Sequence, residues 1–380
     1  MDSKPHYKLH IYFLPMMAPG HMIPMVEMAR IFARRGVKAT LVLTPVNATL
    51  VSKTIDRDRE LGLETTIRLI NFPSAEVGLP EGIENHSSIT SRELSQKMYK
   101  ATELLQQPFE NLLEEDSPDC LVADLLFPWA SEVATKHGIP RLAFHESSAC
   151  AVSVYRELSQ YKPYKNVESD SEVFVVPGLP NKIMMTRHQL PDFIRDGTEN
   201  QFTKLIEKVM ELEVTSYGVL INRFHELEPA YSEHYSKVIG KRVRHVGPVS
   251  LCNRDNKDKT HRGSTISINE HECLTWLDSK EPNSVLYVCL GSLSQFSNVQ
   301  LLEIAMGAQE WCRWPEDGKI YVKREDIEKA VVQLMVCEEA EGIRSRARAP
   351  GETAKKAVEK GGSSYNYLSA LLEELELNTN

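Results

Sequence analysis

The chain has 380 residues, 42% of them apolar, and carries 53 acidic against 44 basic side chains for a formal net charge of −9. That is enough apolar material for a large core in two or three domains, and the acidic balance argues against nucleic acid or an anionic membrane as a partner, since both need a basic face. The seven cysteines are odd in number, scattered and without a Cys-x-x-Cys pair, which speaks against a disulfide framework or structural zinc and for a reducing, cytoplasmic compartment.

In chain order, the first apolar run, Leu9 to Pro15, has the length of a strand, is broken by Pro15 and lacks a small-residue cleavage site, so it reads as a strand and not as a secretory leader. Ala18 to Gly36 then reads as a Pro/Gly turn followed by an amphipathic helix closed by Gly36, which sets His21 at the carboxyl end of a strand. Further strands are expected at Val37–Thr44, Thr65–Phe72, Asp119–Asp124, Pro140–Glu146, Tyr217–Phe224 and Arg242–Pro248, with helices between them such as Ser91–Glu115. Strands separated by helices pair in parallel, so the expectation is an α/β fold with a doubly wound sheet.

A charged stretch over 250–269 reads as a linker dividing a first domain, 1–249, from a second, 270–380. The second opens with a helix around Cys273–Leu277 and a buried-type strand at Ser284–Gly291, and then shows only helical patterns. About 110 residues remain for it, where a nucleotide-binding α/β domain usually needs ~150. A lone parallel strand has no partner, so this part is expected to be unstable, and removing everything after Asn269 to leave solubility equal or better. Nothing approaches the ~18 apolar residues of a transmembrane helix.

His21 has two readings, a cap or pocket-wall residue, or a titratable ligand at the edge where open α/β sheets bind their substrates. Asp124 ends another strand at that edge, where its carboxylate would hold the imidazole in one tautomer for general-base work; it could equally cap the following helix. Gly291-Ser292 lies between a strand and a helix, suited to phosphate or to an ordinary capped turn. Asp56-Arg57-Asp58 matches the Asp-x-Asp by which some sugar-transfer enzymes hold a metal, but its charged surroundings read as a solvated helix face. Met16, Met17, Met22, Met25 and Met28 either line a pliable pocket or belong to the core. The glycosylation triplets at Asn47 and Asn85 read as chance matches. The chain has no Gly-x-Gly-x-x-Gly, Gly-x-Ser-x-Gly or His-Glu-x-x-His, which speaks against a dinucleotide oxidoreductase, a serine hydrolase and a zinc protease.

The stretches GHMIPMVEMARIFARRGVKATLVLTPVNA, GLPEGIEN, DCLVADLLFPWASEVATKHGIPRLAFH, GVLINRFHELEPAY, VGPVSL, CLTWLDSKEPNSVLYVCLGSLS, EKAVVQLMV and AKKAVEKGGSSY span nearly the whole chain. In content and order they resemble the plant secondary-product UDP-glycosyltransferases of the flavonoid and triterpenoid group. The resemblance implies two facing Rossmann-like domains (GT-B type), here with the second internally truncated. It implies His21 as the base on the acceptor hydroxyl, itself touching the acceptor, Asp124 as the carboxylate that steadies it, and Ser292 as a donor contact. Glu146, Ser147 and Ser148 would fall on the acceptor side. The implied reaction passes a hexose from a UDP-sugar to a hydroxyl of a flavonoid or triterpenoid with inversion and release of UDP. It needs no metal and no cofactor beyond the UDP-sugar co-substrate. One segment of the family, from W-A-P-Q through H-C-G-W-N-S to a terminal acidic residue and Gln, has no counterpart: between Met306 and Gln309 the chain passes from the first donor-domain helix to a late segment, AQEWCRW. Its loss is expected to impair transfer. The alternative is a non-catalytic acceptor-binding remnant, or a splice or gene-model fragment.

Overall fold

A computed structural model describes residues 9–195, 201–252, 270–282, 284–287, 291, 324–335 and 337–379. Every strand expected before residue 249 forms. They are β1 (His10–Leu14), β2 (Lys38–Leu43), β3 (Thr65–Leu69), β4 (Cys120–Asp124) and β5 (Arg141–His145); after a short hairpin, β6 (Phe174–Val176) with β7 (Ile183–Met185), come β8 (Gly218–Ile221) and β9 (Val243–His245). The seven long-range partners form one sheet in the order β3-β2-β1-β4-β5-β8-β9, parallel throughout, while β6 and β7 pair antiparallel on their own. The chain winds outward from β1 in one direction and then, from β4, in the other. The crevice of such a sheet lies at that reversal, between β1 and β4.

Both faces of the sheet are covered, which is why its strands read as near-continuous apolar runs. Ile11, Phe13, Cys120, Val122, Leu142, Phe144 and Leu220 pack on one face with α1 (Pro19–Ala33) and α2 (Pro45–Glu60); Ala143, Val219 and Ile221 pack on the other with Tyr231, Tyr235 and Ile239 of the helix Pro229–Ile239. Met22, Met25 and Met28 lie in the first of these clusters, so they belong to the core. The expected helix Ser91–Glu115 is two, Arg92–Leu104 and Gln106–Asp116, broken at Leu105. The break follows from Pro108, which cannot donate to the carbonyl of Leu104 and whose ring would strike it.

The chain divides into two compact units, Met1–Arg262 with Ala354–Asn380, and Gly263–Thr353. The terminal helix Ser363–Thr379 thus sits with the first unit, not with the range 270–380 to which its place in the sequence assigns it. Leu368, Leu371, Leu372 and Leu375 enter the main core beside α1. Arg35 lies over the Tyr365 ring at 3.9 Å, Ser364 Oγ donates to the Gly247 carbonyl, and Glu374 accepts from Arg242, Arg244 and the Tyr217 hydroxyl. This packing argues against the expectation that removing everything after Asn269 leaves solubility equal or better, because the helix's leucines complete a core begun more than 300 residues earlier.

In the second unit the described elements are helices Glu270–Asp278 and Arg324–Met335 and the greater part of Glu339–Val358. The expected strand Ser284–Gly291 is absent over Ser284–Tyr287, which are irregular, with Val285, Leu286 and Tyr287 37%, 40% and 83% exposed. Most of the expected linker (253–269), the helix expected from Val299, and the junction between Met306 and Gln309 lie outside the described residues.

Candidate active site

β1 ends at Leu14, the chain turns, and α1 begins at Pro19, where a missing N–H costs nothing. His21 is the third residue of that helix, and the cap position is Ala18, so the imidazole is not a cap. Register brings its partners to the same edge. Leu14 pairs with Ala123, which puts Asp124 just beyond; Asp124 in turn pairs with Phe144, so Glu146 follows the end of β5.

The His21 ring gives its Nδ1 to Asp124 Oδ2 at 2.8 Å, with Glu146 Oε2 3.5 Å from the same nitrogen. The Asp124 side chain is fully buried, and its second oxygen, Oδ1, accepts the backbone N–H of Leu126 at 3.0 Å. Asp124 therefore closes the turn after β4, while the next helix takes Pro128 as its cap residue. One carboxylate oxygen fixed by backbone and the other by the ring leaves Nε2 as the imidazole nitrogen for a substrate. Burial of the ring works against its charge, but the charge and hydrogen bond of Asp124, joined by Glu146, outweigh it and raise His21 to about 9. At neutral pH the ring is then mostly protonated, and its free form is a stronger base than ordinary imidazole.

Ser147 Oγ donates to Glu146 Oε1 at 3.2 Å, and Ser148 caps the helix Ala149–Tyr161 by accepting from Ala151 N–H. Of the expected site residues, the structure thus gathers His21, Asp124, Glu146 and Ser147; Ser292 lies outside the described residues. Behind the site, His145 is held by Glu213, which also takes the Tyr235 hydroxyl and Arg156. Burial opposes a charged His145, yet the adjoining Glu213 raises its proton affinity and is itself held below the usual carboxylate range. This brace on the end of β5 has no signature in sequence, since its members come from four separate elements.

Among the described residues, the ligand-type atoms of His21, Asp124 and Glu146 lie within 4.8 Å of one another. Nδ1 is already committed to a carboxylate in this arrangement. Asp56 and Asp58 do not act together. Asp56 meets Arg59 at the surface, but Asp58 is fully buried and takes a forked contact from Arg30 at 2.7 Å, which corrects the expected solvated face. Asn47 and Asn85 are buried and bonded to each other. A cavity of about 1190 Å³ opens at the opposite, amino-terminal edge of the sheet, lined by Asp119, Pro140, Tyr217 and Lys241, and neither His21 nor Asp124 reaches it.

A doubly wound, Rossmann-like sheet with an imidazole–carboxylate pair at its switch point is the frame of an α/β enzyme. Comparison with known proteins narrows the class. The chain is 40% identical to scopoletin glucosyltransferase of Nicotiana tabacum, over 97% of this chain and 98% of that one. It is 38% identical to UDP-glucose flavonoid 3-O-glucosyltransferase 7 of Fragaria ananassa, over 99% and 98%. Its fold matches the crystal structure of Glycyrrhiza uralensis UGT73P12 complexed with glycyrrhetinic acid 3-O-monoglucuronide with a TM-score of 0.88 at 32% identity, over 97% of this chain and 96% of that one. No family model matches the chain. It belongs to the plant UDP-glycosyltransferases, whose fold is GT-B. Among the described residues, no helix is long and apolar enough to cross a membrane.

Proposed function

We propose that the chain is built to transfer a hexose from a UDP-sugar to a hydroxyl of a small plant secondary metabolite, a flavonoid or a triterpenoid, with inversion at the sugar. The observation that carries this reading is the 2.8 Å contact of His21 with buried Asp124 at the switch point of the sheet. Nε2 of His21 takes the proton of the acceptor hydroxyl as its oxygen attacks the anomeric carbon, the bond to UDP breaks on the opposite face, and Asp124 stabilises the imidazolium that results. Ser147 lies on the acceptor side and Ser292 on the donor side. The UDP-sugar serves as co-substrate, with neither metal nor further cofactor, and the free cysteines fit a cytoplasmic setting.

Transfer is impaired by loss of the donor segment. The alignment with the tobacco relative runs over 466 positions against 380 residues here, so at least 86 positions face no residue of this chain. If the lost segment supplied about five hydrogen bonds at ~1 kcal/mol each and a stacking contact of ~1 kcal/mol, the deficit is about 6 kcal/mol, more than 10⁴-fold in donor affinity. General-base help, worth ~10²–10⁴-fold, does not replace a donor held in attack geometry. The exposed Val285–Tyr287 run favours a second reading, a non-catalytic acceptor-binding remnant or a splice or gene-model fragment.

Purified protein incubated with UDP-glucose, UDP-galactose or UDP-glucuronate and a panel of flavonols and sapogenins, with product sought by mass spectrometry and acceptor binding by calorimetry, separates these. Acceptor binding without product is expected. Turnover that disappears in His21→Ala would establish the base and overturn the impairment; absence of acceptor binding would leave the fragment reading.

A further inference from the structure

The His21 ring faces two carboxylates, and the second is not accounted for by the fold. Asp124 is anchored by backbone and closes a turn, whereas Glu146 does nothing of the kind: among the described residues its Oε1 meets the Ser147 hydroxyl, and its Oε2, without a hydrogen-bond partner among them, sits 3.5 Å from His21 Nδ1. A buried carboxylate oxygen left without a donor is costly unless a positive charge stands beside it. The His21 imidazole, 3.5 Å away, is a group able to carry that charge.

We propose that Glu146 is a positioning residue for the base, a second carboxylate that shares the Nδ1 proton with Asp124 and sets what fraction of His21 is free to take a proton from the acceptor. Three observations meet here. The register of β4 on β5 delivers both carboxylates to one edge of the sheet, where both approach Nδ1 of the residue that α1 supplies. The end of β5 is braced from behind by the His145–Glu213–Tyr235 contacts, so Glu146 leaves from a fixed point. The groups that set the charge of the His21 ring are Asp124 from β4 and Glu146 from the loop after β5, and both raise its proton affinity against the effect of burial. With both carboxylates beside Nδ1 the resting site holds imidazolium, and the base becomes available on the alkaline side of neutrality. Neutralising Glu146 makes it available nearer pH 7, at the expense of basicity.

This rests on His21 being the base, so the test is made to read the ring directly and not through turnover. Histidine ring signals are followed by NMR from about pH 5 to 10 in the wild-type chain, Glu146→Gln and Glu146→Asp, with His21 assigned from its disappearance in His21→Gln. The wild-type midpoint is expected near 9. In Glu146→Gln it falls by ~1 pH unit or more, the effect of removing one charge at this distance, and Glu146→Asp falls in between. His245, buried on β9 and lowered to about 4 by burial and the neighbouring His225, is the internal control for a loosened fold. A His21 midpoint unmoved in Glu146→Gln overturns the proposal, and so does a His245 signal that begins to titrate in the measured range along with it. A chain that binds no donor and makes no product still gives these titrations, so failure here is distinguishable from failure of the transferase reading.

Discussion

Cys120–Ala123 and Ser284–Tyr287 are both short apolar runs, and their fates are opposite. The first is fully buried, with β1 on one side, β5 on the other and side chains packed on both faces; the second is irregular and its tyrosine is 83% exposed. Composition makes either run eligible to be a strand. What decides is the supply of neighbours, because a parallel strand satisfies its backbone only through both edges and buries its side chains only under helices on both faces. The first unit provides these from seven strands and a returning terminal helix. The described part of the second provides none for this run.

The most severe way to break the comparison is to end the chain at Thr353. This removes Leu368, Leu371, Leu372 and Leu375 from the main core. At ~2 kcal/mol per buried leucine the loss is about 8 kcal/mol, comparable to the whole stability of an ordinary domain. Insoluble or unfolded protein is expected by circular dichroism and sedimentation. A soluble truncated chain melting within a few degrees of the parent would mean that the helix adds little to the first unit.

A milder pair of substitutions sharpens it. Leu371→Ala, at a fully buried position, is expected to cost 2–5 kcal/mol in urea denaturation, while Tyr287→Ala stays within about 0.5 kcal/mol. Equal effects at the two sites would erase the distinction between the regions.

These contrasts show what was legible beforehand and what was not. The seven sheet strands, their parallel pairing and the approach of His21 to Asp124 could be read from apolar runs and from which residue ends each run. The β6–β7 hairpin could not, since three residues on each side carry too little alternation to stand out. Asp58 looked solvated because its local neighbours are charged, yet its partner is Arg30 on another helix. The terminal segment showed a helical pattern, but such a pattern does not state against what the helix packs. Glu146 was placed on the acceptor side by the family resemblance alone, whereas its nearness to Nδ1 depends on the register of two strands at once.

A pH-dependent effect probes the packed edge itself. His21 is raised from 6.5 to about 9 in the folded chain, so its stabilising contribution is complete below about pH 6.5 and fades as pH climbs through about 9. The stability difference between wild type and His21→Ala should therefore narrow between pH 6 and pH 9.5. A constant difference would mean that the ring does not feel its two carboxylates.

The joining of Ala354–Asn380 to Met1–Arg262 gives the chain a particular topology: the stretch between them is a loop whose two ends are tied to one body. For a loop closed in this way, halving or doubling its length alters the entropy of closure by only about 0.6 kcal/mol. An excision inside that loop thus leaves the ring of contacts that shuts the first core almost untouched.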